Sequence, residues 1–366
     1  MLVKVALIHD FLKEYGGAER VVEALHEIFP EAPLYTAYKD LESMGEVGKR
    51  FKGWDIRTSV LQRFPSFLIS PFRIFAPMIF ERFDLSEYDL VISSCNTYFS
   101  KAVITKPSSL HISYIHTPPR YLYGYTTSFN YKKWFITRII GETMNHFLRI
   151  YDFEVSQRPD ILVANSRNVQ ARIKKFYRRD SVVIYPPVEI GERVKRRGER
   201  KYFLSVGRLV RGKGVEVIVE ACIKLGLPLK VVGIGPELEG LRGKGKGGKI
   251  EFLGQVPDDE LPKLYAGAKA TVLAGEDEDF GIVPVESMAV GTPVIAPKSG
   301  GYLETVIEAK TGVLYSGGGM VTVDELVKVL SQFSEDKFKT EDCIKQAEKF
   351  SKMRFKKEIL ELIGYN

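Results

Sequence analysis

Four side chains in the second half of the sequence could together bind an anionic molecule that carries hydroxyl groups. Arg208 and Lys213 stand in the glycine-rich segment Gly207–Gly214, which follows an apolar run and precedes a helical pattern. Glycines let the backbone approach an anion, a helix start offers unpaired N–H groups, and the two cations add positive charge. Glu278 and Glu286 belong to a later loop, and their carboxylates can accept hydrogen bonds from the vicinal hydroxyls of a ribose or hexose. We therefore expect a diphosphate site beside a sugar site.

The segment Gly207–Lys213 also matches the Gly-x4-Gly-Lys pattern of a P-loop, between a strand and a helix as a P-loop requires. The next residue, however, is Gly214 instead of the Ser or Thr that would hold Mg²⁺, and no clear Walker-B strand ending in Asp follows. We interpret the loop as a diphosphate site without a bound metal. A simple strand-to-helix turn with exposed basic residues is the alternative.

Three other patterns are weaker signals. Gly233-Ile234-Gly235 resembles the start of a dinucleotide fingerprint, but the third glycine, Gly240, comes too late. Gly243–Lys249 follows a helix and precedes a strand, so we expect a flexible basic loop. Asp277-Glu278-Asp279 could be an acidic metal motif, but no third oxygen ligand is apparent, and we expect no metal site.

The loop with the two glutamates has a second interpretation. We expect a helix to begin near Pro284, which suits a first helical turn, and the N–H groups of Gly281 and Ile282 could meet phosphate or sugar oxygens. Residue types alone favour an acidic surface loop with Glu286 near a helix N-terminus.

Short apolar runs that alternate with helical stretches must position these residues. Such alternation predicts an α/β protein with parallel sheets covered on both faces, in two doubly wound sets. The predicted strands are Val3–Ile8, Leu90–Ser93, Leu110–Tyr114, Ile161–Ala164, Val182–Ile184, Tyr202–Val206, Leu229–Val232, Ile250–Leu253, Ala270–Leu273 and Pro293–Ala296. The predicted helices include Ala18–Phe29, Val215–Leu225, Asp259–Tyr265 and a C-terminal helix within Phe350–Ile363.

Length, composition and charge limit the number of domains and the classes of partner. A chain of 366 residues suggests two domains at about 150 residues each, and 45% hydrophobic with 27% charged residues excludes wholesale disorder. The net charge of +7 suggests an anionic partner, which could be a nucleic acid, a phosphate-bearing substrate or acidic lipid. We interpret the basic segment Gly191–Lys201 as a solvated linker rather than a nucleic-acid patch, because no aromatic residues interleave it.

Three scattered cysteines, an N-terminal run that does not resemble a signal peptide, and the lack of an 18-residue apolar run together predict a cytoplasmic protein. Two N-terminal stretches add a possible peripheral contact with an anionic membrane. Ile56–Phe83 carries phenylalanines at 64, 67, 72, 75, 80 and 83 beside four arginines. Tyr131–Tyr151 places Phe135, Ile139, Ile140, Met144, Phe147 and Leu148 on one helical stripe. Core packing is the alternative to an interfacial surface in both stretches.

Taken in order, the motifs resemble the family-4 retaining glycosyltransferases. In the second half these are VGRLVRGKGVEVIVEA, KVVGIGPE, FLGQVPDDELPKLYAGA, EDFGIVPVESMAVGTPVIAPKSGGYLETV and KTGVLY. In the first half they are GGAERVVEAL, FDLSEYDLVISS, HISYIHTPPRYLY and ILVANSRNVQARIKKFYRRDSVVIYPPVE, which look most like bacterial and archaeal mannosyltransferases of the lipopolysaccharide O-antigen type.

The resemblance implies a GT-B fold with two Rossmann-like domains facing a cleft. The N-terminal, acceptor-binding domain would comprise residues 1–189 with the crossing C-terminal helix 350–366, and residues 190–349 would bind the nucleotide sugar. Arg208 and Lys213 would hold the diphosphate, Glu286 the ribose and Glu278 the donor sugar. Other residues would lie close to the donor: Gly16 and Gly17 near the phosphates or acceptor, Gln255 and Val256 near the base, Phe280, Gly281 and Ile282 along the sugar, and His116 at the sugar from the other domain.

The implied reaction moves mannose from GDP-mannose to a glycan or lipid-linked glycan acceptor by front-face attack, with no cofactor and no metal needed for donor binding. A UDP-sugar-dependent transferase, a P-loop-like nucleoside triphosphatase and a non-catalytic sugar-nucleotide-binding protein are the alternatives. His116 alone could also be a structural histidine. The related mannosyltransferases usually have a Trp after Arg-Tyr-Leu, where this chain has Tyr123, so acceptor recognition there is expected to differ.

Overall fold

The computed structural model describes residues 3–64, 76–125, 135–190, 199–315 and 321–364. The chain divides into two compact units. The first combines Met1–Gly124, Tyr131–Pro187 and Phe355–Asn366, and the second is built mainly from Val188–Arg354.

A seven-stranded parallel sheet forms the centre of the first unit, in the order β3-β2-β1-β4-β5-β6-β7. Its strands are β1 Val5–His9, β2 Leu34–Thr36, β3 Ile56–Thr58, β4 Leu90–Cys95, β5 Leu110–Ile115, β6 Ile161–Ala164 and β7 Val182–Val183. Both faces are covered, since Ala6 and Ile8 pack into one apolar cluster while Leu7 packs into the other. This explains the nearly continuous apolar runs of these strands.

The helices of the first unit connect the strands and cover the sheet. They are α1 Gly17–Ile28, α2 Ala76–Phe80, α3 Phe135–Val155, α4 Arg167–Tyr177 and the C-terminal α12 Lys352–Leu362, with short 3-10 turns at Gly45–Phe51, Val60–Arg63, Ser100–Ala102 and Arg120–Leu122. Phe355 and Ile359 of α12 are buried in the same cluster as Leu7. The C-terminal helix therefore belongs to the core of the first unit.

The second unit contains a six-stranded parallel sheet in the order β10-β9-β8-β11-β12-β13. The strands are β8 Tyr202–Val206, β9 Leu229–Val232, β10 Ile250–Gly254, β11 Ala268–Val272, β12 Val294–Pro297 and β13 Gly312–Tyr315. The helices are α5 Val215–Leu225, α6 Leu238–Gly245, α7 Leu261–Ala266, α8 Ile282–Ala289, α9 Tyr302–Thr305, α10 Val323–Gln332 and α11 Thr340–Glu348, with a 3-10 turn at Glu335–Lys337.

Several sequence expectations need correction. The segment Gly243–Lys249 is not wholly a loop, because α6 continues to Gly245. The helix after the glutamate loop begins at Ile282, two residues before Pro284. Most of the linker Gly191–Lys201 and the middle of the phenylalanine stretch, including Phe67, Phe72 and Phe75, lie outside the described residues. Arg200, at the end of the linker, is buried and donates to the carbonyl of Gly291, so it is not a solvated charge.

Candidate functional site

In the second unit, the order of the strands creates a topological switch point between β8 and β11. The chain leaves β8 toward β9 on one side and leaves β11 toward β12 on the other, so the strand order reverses between them. Open parallel sheets bind ligands at the carboxyl ends of the strands at such a switch point. The loop Gly207–Gly214 follows β8, and the loop that contains Glu278 follows β11. The two motifs singled out in the sequence therefore meet at one edge of the sheet.

Lys213 and Glu278 are in direct contact at this point. The Nζ atom of Lys213 donates to Oε2 of Glu278 over 2.7 Å, and the side chains are 34% and 19% exposed. Backbone bonds join the same two loops, since Glu276 N–H donates to the carbonyl of Gly212. The residues expected to hold the diphosphate and the sugar thus form one polar cluster.

Gly214 fits this loop because of both its backbone and its surroundings. Its φ is 65°, in the left-handed region, and a Cβ atom at this position would lie 2.4 Å from the carbonyl oxygen of Ala274. A Ser or Thr at position 214 would therefore clash and strain the backbone. This argues against the P-loop alternative, which needs a hydroxyl there to bind Mg²⁺.

Gly233 and Gly235 lie close to the backbone of the loop Gly207–Gly214. A Cβ atom on Gly233 would lie 1.9 Å from the carbonyl oxygen of Gly207, and one on Gly235 would lie 2.2 Å from that of Leu209. The backbone of Leu209 also bonds to the carbonyl of Ile234. These glycines allow the β9 segment to pack closely against the loop after β8.

The loop around Glu278 is held by the glycines after β12. Gly301 N–H donates to the carbonyl of Glu278 over 2.8 Å, and a Cβ atom on Gly300 would lie 2.5 Å from the same oxygen. Phe280 is 2% exposed, and its ring packs edge-on against Phe350 at 5.3 Å. Its side chain therefore does not line an open site as expected, and it anchors the loop from within. Gly281, with φ of 88°, is the N-cap of α8.

Glu286 lies on α8 and is half-buried. Its Oε2 atom accepts a hydrogen bond of 2.8 Å from the hydroxyl of Tyr265 on α7. Among the other expected donor contacts, Arg208 and Gln255 are exposed and Val256 is half-buried against a small apolar cluster. Ile282 is the first residue of α8, so its N–H belongs to the helix start.

The first unit has its own switch point, between β1 and β4. His9 ends β1, and its Nε2 atom lies 3.3 Å from Oε1 of Glu19, while its Nδ1 atom donates to the carbonyl of Ser94 over 3.1 Å. Burial alone lowers the pKa of His9, but the Glu19 carboxylate outweighs this and raises it. The N–H of Gly16 donates to Oε2 of Glu19 over 2.8 Å, and Gly17 starts α1. The N–H of Gly16, one of the two glycines expected near the phosphates or acceptor, is thus already hydrogen-bonded to Glu19.

His116 follows β5 in the same unit and is buried. Its Nε2 atom lies 2.8 Å from the hydroxyl of Ser94. Burial, with a smaller contribution from the charge of His9, lowers its pKa to about 3. His116 is therefore a neutral imidazole at ordinary pH.

Sequence reasoning missed the residues that support His116. Asp10 accepts bonds from the backbone N–H groups of Asn96, Thr97 and Ser100 and from the Thr97 hydroxyl, at 2.7–2.9 Å. The signal was the pair His9-Asp10 at the end of the first strand, where doubly wound sheets place functional groups. Within the described ranges, no group of three or more His, Cys, Asp or Glu side chains could hold a metal ion.

Helix α3 carries an apolar surface that the core does not cover. Phe135, Ile139, Phe147, Ile150 and Phe153 are 41–77% exposed and share one side of the helix, which we call the α3 stripe. Of the predicted stripe, Leu148 instead packs against the core. The side chain of Ile140 lies outside the described residues. No helix in the described part of the chain is long and apolar enough to cross a membrane.

Comparisons with known proteins agree with this geometry. Residues 189–350 match the family model Glycosyl transferases group 1. An uncharacterized glycosyltransferase of Methanocaldococcus jannaschii is 27% identical over 201 residues, which cover 50% of this chain and 57% of that protein. A GDP-mannose-dependent alpha-(1-6)-phosphatidylinositol monomannoside mannosyltransferase of Mycobacterium tuberculosis is 38% identical over 151 residues, which cover 37% of this chain and 39% of that protein. The chain therefore spans less than two thirds of these curated relatives.

Among solved structures, the Anabaena protein HepE in complex with UDP-glucose has a TM-score of 0.70 at 17% identity and covers 99% of this chain and 100% of its own. This likeness, with two parallel-sheet α/β units, confirms the predicted fold class. The chain has the GT-B fold, and its residues 189–350 are similar to the group 1 glycosyltransferases.

Proposed function

We propose that this protein is a retaining glycosyltransferase that moves mannose from GDP-mannose to a lipid-linked glycan acceptor. The observation that carries the proposal is the contact between Lys213 and Glu278 at the β8/β11 switch point. This pair offers a cation for a diphosphate and a carboxylate for sugar hydroxyls. The choice of mannose is supported by the activity of the mycobacterial relative, which matches part of this chain.

In the proposed reaction, a hydroxyl of the acceptor attacks the anomeric carbon of the donor from the face that the diphosphate leaves. The bond from the anomeric carbon to the phosphate oxygen breaks, and the new bond to the acceptor oxygen forms on the same face. A departing phosphate oxygen takes the acceptor's proton. Arg208, Lys213 and the helix start at Val215 stabilise the negative charge that develops on the diphosphate.

The two carboxylates have separate roles in this scheme. Glu278 accepts hydrogen bonds from the mannose hydroxyls once the diphosphate takes over Lys213. Glu286, oriented by Tyr265, accepts the ribose hydroxyls. His116 contributes to the reaction as a neutral imidazole, which can donate or accept one hydrogen bond without adding charge. No metal or cofactor is needed for donor binding.

A transfer assay tests the proposal. Purified protein would be incubated with radiolabelled GDP-mannose and a lipid extract from the source cells, and labelled lipid would be extracted and its anomeric linkage determined by NMR. We expect a mannosylated lipid with the donor's α configuration. An inverted linkage would refute the retaining mechanism, and the absence of any transferred sugar across a panel of sugar nucleotides would refute the transferase assignment.

A UDP-sugar donor is the second candidate. It is favoured by the structural likeness to HepE, whose structure was solved with UDP-glucose. The same assay with UDP-glucose and UDP-N-acetylglucosamine distinguishes the two, since only the true donor should yield labelled product.

We propose further that the α3 stripe binds the surface of an anionic membrane, where a lipid-linked acceptor would reside. Phe135, Ile139, Ile150 and Phe153 recur over 19 residues on one side of the helix, and exposed Arg138 lies beside Ile139 in sequence. Exposed apolar residues that share one side of a helix favour an interaction site, and the net charge of +7 favours acidic lipid.

Vesicle flotation tests this surface. Wild-type protein should float with phosphatidylglycerol vesicles and less with phosphatidylcholine vesicles. The double variant Phe135→Ser with Ile139→Ser should lose binding, whereas Met353→Ser, which changes an 83% exposed residue on α12, should not. Equal flotation of all three proteins would show that the α3 stripe is not the membrane surface.

A further inference from the structure

A fully buried ion pair connects α3 to the chain that follows β4. The side chains of Lys101 and Asp152 are 0% exposed, and Nζ lies 2.5 Å from Oδ1. Burial alone lowers the pKa of Lys101, but its acidic surroundings, chiefly the Asp152 carboxylate, outweigh this and raise it, so Lys101 is charged at neutral pH. Desolvation of two buried charges is costly, and an apolar pair of similar size is often as stable. Stability alone therefore does not account for this pair.

The ion pair collects hydrogen bonds from separate parts of the first unit. Asp152 accepts a bond of 3.2 Å from the Tyr177 hydroxyl on α4 and one of 2.7 Å from the Tyr123 hydroxyl. Lys101 donates to the Tyr177 hydroxyl over 3.1 Å and to the carbonyl of Thr97 over 3.4 Å. We call Lys101, Asp152, Tyr123 and Tyr177 the buried network.

One arm of the buried network supports the hydrogen-bond partner of His116. Lys101 fixes the carbonyl of Thr97, and the N–H and hydroxyl of Thr97 bond to Asp10. The loop between Ser94 and Ser100 is thus held at both sides. Ser94 lies in β4 just before this loop, and its carbonyl accepts a bond of 2.9 Å from the hydroxyl of Ser100, the neighbour of Lys101. The Ser94 hydroxyl lies 2.8 Å from Nε2 of His116.

The other arm supports the segment that follows His116. Tyr123 stands seven residues after His116, and its ring stacks on Phe176 at 4.1 Å while its hydroxyl reaches Asp152. Tyr123 therefore connects the segment after His116 to the ion pair.

We propose that Asp152 is a positioning residue for the transfer reaction. It acts through Lys101 on Ser94 and through Tyr123 on the segment Thr117–Leu122, and so holds His116 from both sides. This inference rests on the proposed function. Misplacement of a reacting group by about 1 Å can lower a rate by about 10²-fold, so such support has a measurable effect.

Tyr123→Phe and Tyr177→Phe each remove one hydroxyl bond to Asp152 and keep an aromatic ring, and Tyr177→Phe also removes the bond from Lys101. We expect the melting temperature of Tyr177→Phe to fall at least as far as that of Tyr123→Phe. With GDP-mannose as donor, kcat should fall about 10-fold in Tyr123→Phe with little change in KM, and stay within about 2-fold of wild type in Tyr177→Phe. Equal kcat in both variants would overturn the proposal.

A double variant separates positioning from folding. Lys101→Met with Asp152→Leu replaces the ion pair by apolar side chains and should melt at or above the wild-type temperature. Its kcat should nevertheless fall by about 10-fold or more. A folded double variant with wild-type kcat would contradict the assigned role.

A third measurement does not depend on turnover. The ring nitrogen resonances of His116, followed by long-range ¹H–¹⁵N NMR, should shift or broaden in Tyr123→Phe and match wild type in Tyr177→Phe. Unchanged resonances in both variants would overturn the positioning role. If the wild type turned over no sugar nucleotide, the proposed function would fail, while this NMR comparison would still decide the effect on His116.

Discussion

Lys213 donates to Glu278 across 2.7 Å, from the loop after β8 to the loop after β11. In the proposed complex both residues change partners, because the diphosphate takes Lys213 and the sugar hydroxyls take Glu278. Glu278 and the diphosphate would therefore compete for Lys213, so the Lys213–Glu278 bond opposes binding of the nucleotide alone.

Glu278→Gln should separate nucleotide affinity from turnover. In this variant no carboxylate competes with GDP for Lys213. The affinity for GDP should therefore rise by about 2- to 5-fold, which corresponds to the free energy of a partly exposed ion pair. Turnover with GDP-mannose should fall, because the amide accepts sugar hydroxyls less well than a carboxylate. Glu276→Gln, in the same loop, is the control and should change neither quantity. Weaker GDP binding by Glu278→Gln would contradict this account.

The two basic residues of the glycine-rich loop should matter for the rate. Arg208→Met and Lys213→Met should each lower kcat by about 10²-fold, by analogy with the loss of one donor to a developing oxyanion. Arg211→Met, which removes an exposed charge from the same loop, should change kcat by less than about 3-fold. Single-turnover kinetics with saturating donor measure the effect, and similar rates for all three variants would mean that charge in the loop, rather than position, is all that counts.

Acid should destabilise the protein through its buried neutral histidines. Burial lowers the pKa of His111 to about 4 and that of His116 to about 3. In the unfolded chain a histidine has a pKa near 6.5. Below about pH 6.5 the unfolded chain therefore binds more protons than the folded chain, and stability falls as the pH drops. At pH 5 each of these two histidines lowers the free energy of unfolding by about 2 kcal/mol relative to neutral pH. The raised pKa of His9 acts in the opposite direction and offsets part of the loss.

Denaturant unfolding at pH 7.5 and pH 5 measures this dependence. His111→Gln, which cannot protonate, should lose less stability on acidification than wild type. His146→Gln, at an exposed position on α3, is the control and should follow the wild-type curve. An identical acid loss in His111→Gln and wild type would show that His111 is not a source of the effect.

Donor turnover should not require a divalent metal. The charge on the diphosphate is met by Arg208, Lys213 and a helix start, and Gly214 leaves no hydroxyl for a Mg²⁺ ligand. We expect the rate with GDP-mannose to stay within about 2-fold after EDTA treatment and dialysis. A rate that vanishes and returns with added Mg²⁺ would contradict this expectation.

Much of the architecture could be predicted from the sequence because buried parallel strands leave continuous apolar runs. Tyr202–Val206 and Leu229–Val232 were located to the residue for this reason. The three-residue strands β2 and β3 were missed, since Leu34–Thr36 and Ile56–Thr58 are too short to show a pattern.

The candidate site was only partly predictable. Glycine spacing and residue type singled out Lys213 and Glu278, and their contact follows from adjacent strands. The buried network was not foreseeable, because Lys101 and Asp152 are 51 residues apart and neither belongs to a motif. Phe280 was assigned to the site by position, whereas its ring is buried against Phe350.

The most direct test of the central claim is calorimetric titration of GDP-mannose, UDP-glucose and ATP, each with and without Mg²⁺, into wild type and Glu286→Ala. The account predicts that GDP-mannose binds wild type equally well in both conditions and that Glu286→Ala loses at least about 10-fold in affinity, since its carboxylate holds the ribose. Binding of ATP alone, and only with Mg²⁺, would contradict the account and favour a nucleoside triphosphatase.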